Sequence, residues 1–485
     1  MTIAPPDTTT EATLDQTLAA AEQAAVVYRR WDRSARARLL RTIADALDAA
    51  GDRLVPIAQE ETHLAEGRLS GELTRTTFQL RLFAETIDNG DYLGARVDEA
   101  DPDWPMGAAR PDLRRIMRPL GPVLVFSASN FPFAFSTAGG DTASALAAGC
   151  PVVVKAHRGH PRLTEATAEA VQKACAEAGA PEGMFAVIFG TESGRIAVQD
   201  PRIKAAGFTG SIGGGRALFD LANSRPDPIP FYGELGSNNP VFVTGAADSE
   251  RGVEIADEFV GSFTMGAGQF CTKPGTILVP VGSRLLERLR EVTLPPGAAM
   301  LNEGIRDGYV AEIEKLQSNG AEVVNAGAGP FSETAPDPII HRVEAAEALG
   351  RPDDLLGECF GPSTLVIEYT DESQLLELAR AYTGQLTASL QAQGHETVLP
   401  DLLDTLAEVA GRLLFNQWPT GVSVTYAQQH GGPYPASTAG GSTSVGTAAI
   451  ERFLRPVAYQ GMPEHLLPAE LVAGAGVAQM INGRR

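Results

Sequence analysis

The sequence is short of cysteine, of positive charge and of long apolar runs. Four cysteines occur in 485 residues, at Cys150, Cys175, Cys271 and Cys359. They form no C-x-x-C pair and no Cys/His cluster at zinc spacing, so no metal site is expected. Isolated cysteines in a long chain suit a reducing compartment. Lys and Arg number 39 against 60 Asp and Glu, a formal charge of -21. Such a surface repels phosphate backbones, and nucleic acid is not an expected partner. No run of about 18 apolar residues occurs, so no membrane span is expected. The opening MTIAPPDTTTEATLDQ has neither the basic start nor the apolar core of a secretory signal, which leaves the cytoplasm as the expected location.

What is present is ordinary for a globular enzyme: 44% hydrophobic and 20% charged residues, in a chain long enough for two or three domains. The first dozen residues are rich in Thr and Pro and are expected to fray. From Leu14 to about Asp88, LDQTLAAAEQAAVVYRRW, ARLLRTIADALDAA and LTRTTFQLRLFAETI repeat apolar residues at helical spacing. Prolines then break the pattern over 91–120, an extended excursion. Short apolar runs follow: PVLVF (122–126), PVVVKA (151–156), MFAVIF (184–189) and IKAAGF (203–208). Helical segments separate them, one opened by Pro161 and closed by Gly179. This alternation predicts an α/β fold with a doubly wound parallel sheet, which binds nucleotides at the carboxyl ends of its strands. A second series runs through PVFV (240–243), TILVP (276–280), STLVIEY (363–369) and RLLFNQW (412–418), ahead of a loop-like STAGGSTSVGT (437–447).

The G-x-G-x-x-G fingerprint is missing: SASNFPFAF follows PVLVF, and GSIGGG (210–215) has the wrong spacing. Phosphate could still meet the free N–H groups of a helix beginning near Ser211. Cys271, in GQFCTKPG, has glycine-rich flanks that permit close backbone approach to a ligand. A free cysteine is more often a buried apolar filler, and Cys150, Cys175 and Cys359 fit that reading. None of the seven histidines lies near Cys271 in sequence: His157 and His160 sit in a strand-end loop and His430 in a Gly/Pro turn. A Cys–His pair is therefore not expected, and a carboxylate acting through water is the alternative, with Glu234 in FYGELGSNNP standing out.

Each motif alone is weak, but their order is not. Asn130 in SASNFPF, Lys155 in VVVKAH, FTGS at 208–211, Glu234 in GELGSNNP, Cys271 in GQFCTKPG and Glu358 in GECFGP together resemble the aldehyde dehydrogenase superfamily over roughly residues 15–460. The resemblance implies a Rossmann-like cofactor domain (14–102 and 119–233), an α/β catalytic domain (234–451) and oligomerisation segments (103–118 and 452–485), with a homodimer or higher homo-oligomer. It implies that Cys271 attacks the aldehyde carbon, that Asn130 and the Cys271 N–H hold the oxyanion, and that Glu234 activates the water that hydrolyses the thioester. Preorganised donors of this kind contribute about 3 kcal/mol each. It further implies that Lys155 meets the adenosine ribose, that Gly210 and Ser211 meet the pyrophosphate, and that Glu358 and Phe360 lie against the nicotinamide ribose.

Family members that prefer NAD often carry a glutamate three residues after the lysine, and here that position is Arg158. A guanidinium there attracts a 2′-phosphate, so NADP is the expected cofactor, with NAD possible as a second. FNQWPTGVSVTYAQQHGGPYPAST and FLRPVAYQ resemble the branch that holds 2,5-dioxopentanoate (α-ketoglutaric semialdehyde) dehydrogenases and the NADP-dependent fatty aldehyde dehydrogenase of luminous bacteria. The small-molecule aldehyde expected is 2,5-dioxopentanoate, with a medium- or long-chain aldehyde as the alternative. Phe131, Phe133, Phe270 and Trp418 are the expected pocket residues.

Overall fold

Thr10 sets the start of the first helix: its hydroxyl accepts the Thr13 N–H, and the backbone turns helical from Glu11. The computed structural model describes residues 8–484. Helix α1 (Glu11–Tyr28) buries Leu14, Leu18, Ala21, Ala24 and Tyr28, a stripe at three- and four-residue spacing. Helices α2 (Arg33–Ala49), α3 (Gly51–Thr62) and α4 (Glu66–Asn89) follow. The expectation of a frayed start does not hold from Thr9 onward. Thr9 N–H donates to the Phe189 carbonyl at 3.0 Å, and Phe189 N–H donates to the Thr9 hydroxyl at 2.8 Å. The rest of that stretch, residues 1–7, lies outside the described residues.

Two strands, β1 (Arg96–Asp98) and β2 (Leu113–Pro119), form the excursion. Then come β3 (Val123–Phe126), helix α5 (Gly140–Ala148), β4 (Val152–Lys155), helix α6 (Pro161–Glu177), β5 (Phe185–Ile188), helix α7 (Thr191–Gln199), β6 (Ala205–Thr209), helix α8 (Ile212–Asn223) and β7 (Phe231–Glu234). Their strands make one parallel sheet in the order β5-β4-β3-β6-β7. The order reverses at β3, so a crevice opens at the carboxyl ends of β3 and β6. VLVF in β3 is buried at all four positions because helices cover both faces, which is why it reads as an unbroken apolar run.

The chain crosses to a second sheet through β8 (Val241–Val243), helix α9 (Gly245–Thr264), β9 (Thr276–Pro280), β10 (Glu322–Ala326), β11 (Ile339–Glu344), β12 (Ser363–Tyr369), β13 (Gln385–Gln391) and β14 (Ala410–Phe415). The order is β10-β11-β12-β9-β8-β13-β14, with only the β10–β11 pair antiparallel. The last strands, β15 (Leu454–Gln460) and β16 (Met480–Ile481), return to the excursion and complete a four-stranded sheet, β15-β2-β1-β16. That small sheet takes in Arg96–Asp98, so it begins earlier in the chain than 103. Buried Arg452 fixes the return, bridging Asp141 at 2.8 Å and donating to Ser144 at 3.2 Å on α5.

Two glycines allow close approach. A Cβ on Gly215 would push the Leu235 side chain aside where α8 packs against the end of β7. Past α9, Gly266, Ala267 and Gly268 turn through positive φ of 58°, 55° and 65°. A Cβ on Gly268 would collide with the Gly361 carbonyl. This left-handed run carries the chain off α9 and delivers Cys271 to the space between the two large sheets.

Candidate active site

Cys271 sits on a segment braced by the SNN triplet of GELGSNNP. Asn239 Nδ2 donates to the carbonyls of Cys271 at 2.8 Å and Lys273 at 3.0 Å. Asn238 Nδ2 donates to the Gly357 carbonyl at 2.8 Å, which ties the segment carrying Glu358 to the same strut. The N–H groups of both asparagines donate to Gln385 Oε1 on β13, at 2.8 and 3.0 Å. Cys271 is the one cysteine of the four that keeps some exposure as a residue, half-buried where the other three are buried.

Glu234 ends β7 and is buried. The loop after residue 424 folds back on it: Leu235 N–H donates to the Ala436 carbonyl at 2.8 Å, and Thr438 N–H to the Gly233 carbonyl at 3.0 Å. This return brings His430 and Ser444 to the carboxylate. His430 Nε2 lies 2.9 Å from Glu234 Oε1, and the Ser444 hydroxyl donates to Oε2 at 2.6 Å. The same His430 Nε2 is 3.7 Å from Cys271 Sγ. The expectation that no histidine stands at the cysteine is therefore corrected: residues 159 apart in sequence meet because the loop pairs with the end of β7. His430 Nδ1 is buried without a partner, so the ring proton is assigned to Nε2, where Glu234 accepts it.

The electrostatics are opposed in sign. Burial alone would raise Glu234, but His430, Ser444 and Cys271 outweigh it and hold the carboxyl below its ordinary value. Burial, and then the charge of Glu234, push the Cys271 thiol well above its ordinary value. The site at rest is a thiol beside an ionised base, so the thiolate arises by proton transfer rather than residing there. Sγ, the imidazole nitrogen and the carboxylate oxygen lie within 4.8 Å of one another. A soft divalent cation such as Zn²⁺ can bridge such a set, which would tie up the nucleophile.

Asn130 is buried, and its Nδ2 donates to the Gln269 carbonyl at 3.1 Å, leaving its second N–H uncommitted. Arg68 holds it from behind, donating to the Asn130 carbonyl at 2.6 Å. The Arg68 guanidinium lies 5.1 Å from the Phe131 ring and 4.5 Å from the Phe270 ring, which meet edge to face. Phe131 and Phe270 thus flank the cysteine segment. Phe133 and Trp418 do not join them. Phe133 is packed into the large core cluster that also takes in residues of α4 and α5, and its neighbourhood to Asn130 in sequence does not carry across the turn. The Trp418 indole packs on Phe259 at 5.6 Å and donates to Glu258 at 2.8 Å, on the outer side of α9.

A cavity of about 670 Å³ opens at the carboxyl ends of β3, β4 and β6 and ends at Cys271. Lys155, Arg158, Gly210, Ser211, Glu358 and Phe360 all line it. Arg195 on α7, which the sequence reading passed over, lines it too. Its signal was the strand-to-helix turn at Gly190, the same kind of turn that made Ser211 a candidate. The cavity fits a dinucleotide. The N-terminus of α8 faces it, though the Ser211 hydroxyl is spent on the Gly214 N–H as a cap, so backbone N–H groups are what an anion would meet. Lys155 has its pKa lowered by burial and then by the positive charge of Arg158. His157 beside them is pushed down to about 3 by burial and by the neighbouring cations. At the inner end, burial raises Glu358 while Lys273 opposes the shift. The Lys273 ammonium donates to the Cys359 and Ser363 carbonyls at 2.8 and 2.7 Å.

A family model, Aldehyde dehydrogenase family, matches residues 2–458. The chain is 45% identical over 480 residues to an alpha-ketoglutaric semialdehyde dehydrogenase of Acinetobacter baylyi, covering 97% of this chain and 91% of that one. It is 44% identical to alpha-ketoglutaric semialdehyde dehydrogenase 2 of Azospirillum brasilense, covering 95% and 89%. The fold matches an NAD-dependent aldehyde dehydrogenase from Sinorhizobium meliloti with a TM-score of 0.76 at 23% identity, over 93% of this chain and 88% of that one.

Two substitutions test the base. Glu234→Gln removes the charge that holds the thiol up, so the apparent pKa for iodoacetamide alkylation of Cys271 moves down, while turnover falls on the order of 100-fold or more. An unchanged or higher alkylation pKa would contradict the assignment. His430→Ala takes a donor from the buried carboxylate. Its pKa rises, and the acid limb of the pH–rate profile shifts to higher pH.

Proposed function

The chain belongs to the aldehyde dehydrogenase family and is an NAD(P)-dependent oxidoreductase acting on an aldehyde, and on that premise we propose that it oxidises 2,5-dioxopentanoate to 2-oxoglutarate with NADP. The observation that carries the catalytic part is the contact of Cys271 with the Glu234–His430 pair at the inner end of the cleft. Glu234 takes the thiol proton, and sulfur adds to the aldehyde carbon. The carbonyl oxygen becomes an oxyanion, met by the free N–H of Asn130 and the uncommitted N–H of Cys271. Collapse of that thiohemiacetal expels a hydride and leaves a thioester on Cys271. Nicotinamide, when bound, supplies the hydride acceptor. Glu234, its first proton released, takes one from water as the water adds to the thioester. The thiolate then leaves and the carboxylate product is freed. His430 positions the carboxylate through both transfers and makes no bond to substrate.

The support for NADP is the pair Lys155 and Arg158 on the cleft wall, two cations with no acid partner among the described residues. Glu358 and Phe360 would hold the nicotinamide ribose end, and the N-terminus of α8, with Gly210 and Ser211, the pyrophosphate. The named substrate rests on the two relatives at 45% and 44% identity. We take the five-stranded sheet with its helices as the cofactor domain and the seven-stranded sheet as the catalytic one. The small sheet would pair subunits into a homodimer. Four free cysteines fit a reducing cytoplasm. No helix among the described residues is long and apolar enough to cross a membrane.

Steady-state kinetics test the substrate: kcat/KM is higher for 2,5-dioxopentanoate than for decanal, and the reverse order would replace the keto acid with a fatty aldehyde. For the cofactor, Arg158→Ala lowers kcat/KM with NADP by roughly tenfold or more while sparing NAD. Equal loss with both would remove the 2′-phosphate assignment.

A further inference from the structure

Beside Cys271 stand arginines with no carboxylate bound to them. Arg75 lies on α4 and Arg412 on β14, and their hydrogen bonds go only to backbone carbonyls. In a chain with 60 acidic and 39 basic residues, acid partners are not scarce. Both arginines grip one loop. Arg412 Nη2 donates to the Pro419 carbonyl at 2.9 Å and the Gly421 carbonyl at 3.3 Å, and Arg75 Nη2 to the Val422 carbonyl at 3.4 Å. The loop touches the nucleophile's own segment, because Gly421 N–H donates to the Thr272 hydroxyl at 3.4 Å. The Arg75 guanidinium also lies 5.3 Å from the Phe135 ring, which is 6.2 Å from the His430 ring. Through these contacts Arg75 reaches the His430 side of the site and Arg412 the Cys271 segment.

Each keeps a donor in reserve. Arg75 Nη1 and Arg412 Nε are buried with no hydrogen-bond partner among the described residues. A buried charged donor left unpaired is costly, and it is completed by a ligand, an ion or a water. Burial lowers the pKa of both; at Arg75 the charges of Glu72, then Cys271 and Glu234, oppose that shift without a hydrogen bond to it, and at Arg412 Cys271 does. Arg68, the third arginine here, also has a buried donor without a partner, Nη1, but its Nη2 holds the Asn130 carbonyl and its guanidinium lies over two aromatic rings, on the oxyanion side of the site.

We propose that Arg75 and Arg412 are the clamp for the remote carboxylate of the substrate, selecting aldehydes that carry an acid group at the other end of the molecule. This rests on the aldehyde-oxidising reading above and deepens its choice of substrate. A 2-oxo acid end offers a carboxylate and an adjacent carbonyl, acceptors for two guanidinium forks at once. A neutral alkyl chain would leave both donors unpaired.

The test is kcat/KM for 2,5-dioxopentanoate and for pentanal in wild type, Arg75→Gln, Arg412→Gln and the matching Lys variants. The expected result is an acid-to-neutral ratio that falls on the order of 10- to 100-fold in each Gln variant, with partial recovery in Lys. Equal losses on both aldehydes would show that the arginines only brace the loop, and would overturn the clamp. Wild type that prefers the acid, with variants that keep the ratio, overturns the clamp alone. Wild type with no preference for the acid overturns the substrate reading and the clamp with it. Should the variants not fold, the unaltered enzyme still decides: competition by glutarate and not by glutaramide supports the clamp, and equal or absent competition by the two overturns it.

Discussion

An ionised carboxylate buried at the seam of two sheets is the constraint on which the site depends. Glu234 ends one sheet and the chain leaves it for the other, so no helix or strand continues past it to supply donors. Leaving such a charge unpaired costs several kcal/mol. The donors come from far along the chain, His430 and Ser444, and they arrive because a long loop pairs with the end of β7. Satisfying that one charge therefore closes the loop, joins the two large sheets, and sets the distance between the base and Cys271.

The charge of the whole molecule and the charge of its cleft have opposite signs. Outside, acidic residues prevail. Inside, Lys155 and Arg158 line the cleft, and Arg75 and Arg412 hold the loop that touches the Cys271 segment. Low dielectric strengthens these local fields relative to the distant surface. The cations of the cleft would draw an anionic cofactor, and the proposed clamp would draw the acid end of the substrate.

Much of the architecture was legible. VLVF, VVVK, TILVP and STLVIEY are apolar because helices bury both faces, and Pro161 and Gly179 bound α6 as their backbone preferences require. β13 was not legible. QLTASLQ is buried throughout, yet its polar side chains look like a loop until Gln385 is seen accepting from Ser237, Asn238 and Asn239. The positions of Cys271, Glu234 and Asn130 could be named from ordered motifs, whereas His430 could not. Nothing local distinguishes a histidine in a Gly/Pro turn, and only the pairing of that turn with β7 gives it a partner. Phe133 and Trp418 failed for the related reason that sequence neighbourhood does not set the direction of a side chain leaving an irregular segment.

The raised pKa of Cys271 has a consequence for the enzyme when it is idle. Peroxide and other electrophiles attack the thiolate, not the thiol. A nucleophile kept protonated by its own base is slow to be oxidised or alkylated between turnovers. The carboxylate that drives the chemistry when an aldehyde is present is thus also a chemical safety catch, and the lifetime of the enzyme under oxidative stress is set by the same atoms as its rate.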